Sequence, residues 1–303
     1  MSPRQATAAR EEALRTRRVS DRLLDRQGIL PVRDTYERES DKLMKHLRQV
    51  FAGLMLMKML PEHTKRLKAF LFGSSFELGT AVGLTLTSTT RTTLQVSLES
   101  GAQYLARLRN APSPADDPVV AAKILRRFEP GLVVARKEAS EAVGQSIAEK
   151  LAETAAAEAS KGSTVAETLE GVESTLGKEW WKIERATRTE TSRVFNTMQD
   201  AVIQEASRDL PGLYTRWTEL VDDYSRKPLD NRVGNDSIVL HGQVVRPGRE
   251  FTMPDSPLAP TQMVGQTWPY PPNRPNDRAV ITPWMAEWGI PSWIYRAGQV
   301  VPL

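Results

Sequence analysis

Apolar positions recur at helical spacing up to about residue 207, and the pattern changes after Pro211-Gly212. The strongest stripe is Tyr36, Leu43, Leu47, Val50, Leu54 and Met57, with steps of three, four and seven. Met44, Phe51, Met55 and Leu56 widen it toward full burial, so the pattern predicts a helix ended by Pro61 and another over 62–78. The Thr- and Ser-rich run 85–93 fits a strand or a helix. Leu94, Leu98, Tyr104 and Leu105 continue a helical pattern and favour helix. A loop follows at 111–115. Asp117-Pro118 has the form of an N-cap with proline in the first turn, and Pro130 is expected to open the next helix, which Lys161-Gly162 stops. Thr164-Val-Ala-Glu167 is a capping box, starting a helix through Val165, Leu169, Val172 and Leu176 that Gly177 is expected to close. A last helix over 178–207 would present Trp180, Ile183, Thr187, Val194, Met198 and Val202 inward.

Beyond Gly212 the signals are those of strands. Residues 213–221 alternate loosely around Trp217, and 241–251 read as a hairpin turning at Arg246-Pro-Gly248. Twelve of the 20 prolines and five of the seven tryptophans follow Gly212, so 252–303 reads as a tail with little regular structure beyond a short strand at Val280-Ile281. The fold class expected is α+β: a long, mainly helical N-terminal part, then a small α/β domain with a proline-rich irregular tail. The divisions are a basic arm (1–34), a helical domain (35–177), a domain of long helix and small sheet (178–283) and an extended tail (284–303).

Residues 8–26 are polar on nearly all sides, so a helix there gains little from packing on its own core and is expected to order on a partner. The net charge of +4 lies in residues 1–48, which hold twelve Lys or Arg and eight Asp or Glu. Arg15, Arg17, Arg18, Arg22 and Arg26 are the candidate partner-binding residues; Glu11, Glu12, Asp21 and Asp25 dilute the basic signal and favour a protein partner over DNA. No signal peptide is expected, and the longest apolar run, 50–60, interrupted by Lys58, is too short to span a bilayer.

The chain has no cysteine, which excludes disulfides, thiolate metal sites and cysteine nucleophiles. Its three histidines, His46, His63 and His241, lie far apart in sequence, and unrelated histidines are the favoured reading. The acidic loop with Asp222, Asp223, Asp230, Asn235 and Asp236 lacks the order of a Ca²⁺ loop and reads as a turn with Asx caps. Glu184–Arg188 and Glu190–Arg193 have ion-pair spacing on a helix; a solvated charged face is the favoured reading, ahead of a polar clamp onto the Trp217 strand domain.

The order of pieces from the last helix onward resembles the phage Mu F-like minor head proteins, also called phage head morphogenesis proteins. The pieces are Arg188-Thr189-Glu190-Thr191 with Asn196, Trp217 in the first strand, Asp230-Asn-Arg232-Val233, Leu240-His241-Gly242-Gln-Val-Val245 before Phe251, and Asn276-Asp-Arg278. The likeness covers roughly 164–283. Ser237 stands where the family often has histidine, and Asn276-Asp-Arg-Ala279 where it has a closing Asn-Cys-Arg-Cys, so metal binding of that kind is not expected. The resemblance implies a structural role for the motif, with Asp230, Arg232 and Arg278 holding loops together.

The resemblance also implies a non-enzymatic virion component with no cofactor, made in the host cytoplasm and contacting the portal protein, the major capsid or scaffold protein and in some members genomic DNA. It implies work in head assembly and in DNA packaging or ejection, and no membrane partner. Two alternatives stand beside it: a metal-dependent hydrolase or transferase using the acidic loop 222–236 with His241, and a non-specific DNA-binding protein.

Overall fold

The computed structural model describes residues 11–12, 15–16, 18–109, 117–219, 237–256, 259, 261–273, 277, 279–286, 293–296 and 299–302. The fold class is α+β, long helices followed by short antiparallel strands. Residues 18–22 are helical and run into a π-helical turn, Leu23–Ile29. Pro31 follows it; proline has no N–H to give, and its ring crowds the carbonyl four residues back, which accounts for the widened turn. Helix α1 is Leu30–Val50, α2 Pro61–Arg109, α3 Pro118–Ser160 and α4 Val165–Ala206.

Four boundaries differ from the sequence expectation. Helix α1 stops at Val50, ten residues early, because residues 51–60 bond to the start of α4 instead: Met59 N–H donates to Ser163 O (2.9 Å), Val165 N–H to Met57 O (2.9 Å) and Ala166 N–H to Met55 O (3.1 Å). Pro61 therefore opens α2, at a position whose N–H has no helical partner in any case. Helix α2 runs unbroken through the Thr-rich stretch. Thr85 and Thr87 bond back to Ala81 O and Gly83 O, and so satisfy their hydroxyls inside the helix.

Pro130 lies inside α3. The helix passes through it with Ile124 and Leu132 buried on either side. Gly177 likewise lies inside α4, because the inward stripe Val172, Leu176, Ile183, Thr187 continues across it. That burial outweighs the cost of a mid-helix glycine, about 1 kcal/mol. Two expected caps are present. Asp117 Oδ1 accepts the Val119 N–H (2.8 Å), and in the capping box Glu167 Oε2 accepts the Thr164 N–H (2.7 Å) while Thr164 Oγ1 accepts the Glu167 N–H (3.3 Å).

The chain packs as two compact units. The helical unit comprises Asp25–Thr89 and Gly131–Arg188, and the mixed unit comprises Met1–Leu24, Thr90–Pro130 and Thr189–Leu303. The helical unit closes on one core drawn from α1, α2, α3 and α4, with Tyr36, Leu47, Phe51, Leu67, Leu71, Ile147, Leu151 and Val172 buried. Tyr36 Oη donates to Leu176 O (2.6 Å). Arg136, fully buried, donates from Nη1 to Leu86 O (2.6 Å). Helices α2 and α3 approach so closely that a Cβ on Gly144 would lie 3.0 Å from Gly79 Cα. Helix α2 is also long and apolar enough to cross a membrane by length and composition, a stretch that the reading of 50–60 as the longest apolar run passed over. Its threonines, serines and glycines dilute the apolar pattern without adding charge, and residues 69–90 carry only Glu77.

The mixed unit holds the strands: β1 Leu213–Thr218, β2 Val244–Val245, β3 Phe251–Thr252, β4 Thr267–Trp268, β5 Val280–Met285, β6 Trp293–Arg296 and β7 Gln299–Pro302, with the short helix α5, Ser237–Leu240, before β2. One antiparallel sheet has the order β2-β1-β5, with Trp217 opposite Ile281 and Arg216 opposite both Val244 and Thr282. The expected 241–251 hairpin does not form. Its arms pair elsewhere, β2 with β1 and β3 with β4. The tail is also more regular than proline content suggested, with β5 spanning six residues and β6 pairing with β7. Strand β5 tolerates Pro283 because it is an edge strand, where a missing N–H breaks no ladder bond.

Candidate functional site

The segment of α4 that carries the motif is enclosed almost all round. Glu190, Thr191, Ser192 and every residue from Val194 to Ile203 are buried. Glu190 pairs with the more exposed Arg193 (3.2 Å) and Glu184 with Arg188 (3.0 Å), the spacings expected from sequence. Glu190 and Thr191 are not, however, on a solvated face.

Asn196 is the joint between this helix and the sheet. Its Oδ1 accepts the Ile281 N–H (2.9 Å) and its Nδ2 donates to Ala279 O (3.2 Å) and Ser192 O (2.9 Å). Trp217 exchanges its backbone bonds with Gly242 and Gln243, just before β2, so by strand alternation Ile281 opposite it points its N–H outward, off the sheet edge. The Asn196 carboxamide thus occupies the place of a further strand on β5. Phe195, beside it, packs with Leu23 and Val280. Asp277 shapes the chain just before β5, its Oδ1 accepting the Ala279 N–H (2.9 Å) and its Oδ2 the Asn273 N–H (3.1 Å).

A second carboxamide does the same work on the other side of the sheet. Gln243 Oε1 accepts the Thr252 N–H and its Nε2 donates to Thr252 O, both at 2.9 Å. Gly242 sits before it at φ +82°, a left-handed conformation that a side chain would strain, and its N–H donates to Trp217 O (2.9 Å). Trp217 is fully buried and packs edge-on against Phe251, ring centroids 5.2 Å apart. The structure thereby brings Asn196, Trp217, His241, Gly242 and Phe251 together in one small framework. Asp230, Arg232, Asn276 and Arg278, and the acidic residues Asp222, Asp223, Asn235 and Asp236, lie outside the described residues. Asp277 and Gln243 carry roles that sequence reasoning missed. For Asp277 the available signal was an Asx residue three positions before a strand.

His241 is buried, and its Nδ1 accepts the Glu219 N–H (2.8 Å). Burial first, then the neighbouring Arg216 charge, holds the imidazole well below its ordinary pKa. The ring is therefore neutral with its proton on Nε2, and the lone pair a base would use is already engaged. Burial also lowers the Arg216 guanidinium to about 10, with Tyr104 acting in the opposite direction. Burial raises Asp200 to about 6, against the lowering effect of its bond from Gln204 Nε2 (2.6 Å). Among the described residues no three His, Asp or Glu side chains converge as metal ligands would.

Of the candidate partner-binding residues, Arg15, Arg18 and Arg22 are exposed at helical spacing along one face, and Arg15 pairs with Glu12 (2.7 Å). Arg17 and the side chain of Arg26 lie outside the described residues. The opposite face is packed: Glu12, Thr16, Ser20, Leu23 and Leu24 are buried, and Glu12 also pairs with Arg107 (3.0 Å). Small polar side chains let this helix pack closely, which a count of apolar residues does not register.

Comparison with family models, with curated proteins and with solved structures found no match to this chain.

Proposed function

We propose that this chain is a minor head protein of a tailed phage, a head morphogenesis component at the portal vertex or inner capsid. The observation that carries this reading is the use to which the motif is put. Asn196, Gly242 and Gln243 all bond to backbone, and Trp217 packs into the same framework, so the polar groups of the motif are engaged in holding the fold. Such a framework suits a protein that presents a surface, and the order of its pieces is the order of the Mu F-like resemblance. The exposed face with Arg15, Arg18 and Arg22 is the contact we assign to the portal protein, ahead of genomic DNA, because Glu11 is exposed among these arginines and Glu12 pairs with Arg15.

The test is mass spectrometry of purified particles of the phage that encodes the chain, with wild-type protein and with residues 2–30 deleted. The expected result is a few copies per particle, lost or reduced in the deletion. Absence of the wild-type protein from particles that are otherwise complete would overturn the reading. Full-length protein that binds DNA, beside a deletion that enters particles normally but no longer binds it, would reverse the ranking of portal over DNA.

A further inference from the structure

The helical unit carries an apolar projection at one end of the α1–α4 pair and an apolar groove nearer the other. The projection is the 51–60 segment, where Leu56 is 94% exposed and Met57 and Leu60 are exposed beside it. It is not a loose loop, because three backbone bonds join it to residues 163–166. A leucine held rigidly in water loses little freedom when it enters a pocket, which is the condition for an efficient anchor.

The groove, of about 280 Å³, has Tyr36, Met44, Leu176 and Trp180 in its walls. Arg33, Glu37, Asp41 and Glu173 stand around them. Tyr36 and Trp180 meet at 5.4 Å; Tyr36, Met44 and Leu176 are buried behind the half-buried Trp180, which is the aromatic surface the groove offers. The projection is tied to α4 at Val165, whereas the groove lies at Leu176 and Trp180. At 1.5 Å per residue the two are roughly 16–22 Å apart along the same helix, so Leu56 cannot reach its own groove.

We propose that copies of this chain associate head to tail, Leu56 of one seating in the groove between α1 and α4 of the next. The charges single out a second copy as the occupant. Lys58, two residues from Leu56, is the only ion in residues 51–60. Around the groove, Arg33 bonds Glu37 and Arg48 bonds Glu173, while Asp41 is exposed and forms no ion pair among the described residues. An apolar tip with one spare cation thus faces an apolar groove with one spare carboxylate. Different surfaces on the two sides make the contact heterologous, which closes into a ring or runs on as a filament. Association of this kind is independent of whether the protein is a virion component.

The test uses the full chain, which contains no cysteine and so gives no background cross-linking. Leu56→Cys and Asp41→Cys variants are made separately and oxidised alone and mixed. The mixture is expected to yield a disulfide-linked dimer that neither variant yields alone. Sedimentation should show concentration-dependent association, weakened about tenfold by Lys58→Glu or Asp41→Lys and restored when both are present in one chain. Leu56→Asp should abolish it; if that variant unfolds by circular dichroism, the charge swap carries the test. A monomer at all concentrations up to about 100 µM, cross-linking of Leu56→Cys alone as strong as in the mixture, or no rescue by the double swap would each overturn the proposal.

Discussion

Replacing Asn196 by leucine keeps the branched shape of the side chain, adds bulk and removes the joint between α4 and β5. Asn196 is fully buried, so no water replaces the lost partners. The Ile281 N–H loses its acceptor at 2.9 Å and the Ala279 carbonyl its donor at 3.2 Å. Each buried backbone group left unpaired costs about 1–3 kcal/mol, and the more apolar side chain returns part of that, for a net loss of about 2–5 kcal/mol. For a domain of this size that lowers Tm by roughly 4–15 °C. Differential scanning calorimetry measures the loss, and hydrogen exchange locates it, since the Ile281 amide should exchange faster in the variant while amides in α1 keep their rates. The Arg208→Ala variant, which removes only an exposed ion-pair partner beyond the end of α4, serves as control and should change little. Asn196→Asp adds a pH test. A buried aspartate here has a folded-state pKa above its unfolded value, so the penalty is absent at low pH and grows as pH rises from about 4. A loss under about 1 kcal/mol in Asn196→Leu, or unchanged exchange at Ile281, would refute the assignment of Asn196 as the joint.

Asp200, raised by burial to about 6 from an ordinary 3.8, binds its proton more tightly when folded, so its charge costs stability as pH rises through 4–6. Asp200→Asn should therefore stabilise the protein by about 1–3 kcal/mol at pH 7.5 and have no such effect below pH 4, as read from denaturant melts at the two pH values. Gly144→Val places new atoms against the Gly79 backbone, where a Cβ alone would already be at 3.0 Å, and should cost about 1–3 kcal/mol in the same assay. Thr164→Ala removes a capping-box hydroxyl from the start of α4 and should cost about 0.5–2 kcal/mol; a thermal melt identical to wild type would mean the backbone bonds from 55–59 hold that helix end alone.

Local chemistry was readable wherever it acted within a few residues. The Thr164–Glu167 box, the Asp117 cap, the stop at Gly162 and the α1 stripe around Tyr36, Leu43 and Leu47 depend on side chains one turn apart, and the sequence determined them. The change to strands after Gly212 and the burial of Trp217 were equally legible. Within the candidate site, Asn196, Trp217, His241 and Gly242 were found from the order of motif pieces, but not the bonds that unite them. Those join residues 83 or 85 positions apart, as in Asn196 with Ala279 and Ile281, and no local period encodes such a pairing. Tertiary structure also decided the breaks. Pro130 and Gly177 did not end their helices because burial on both sides outweighed their local cost, and α1 ended early because residues 55–59 bond to the start of α4. It decided the two compact units as well, which draw on stretches distant in sequence while α2, α3 and α4 each contribute residues to both. A chain read in order divides into consecutive segments, whereas burial divides it by which faces meet, and only the folded chain brings those faces together.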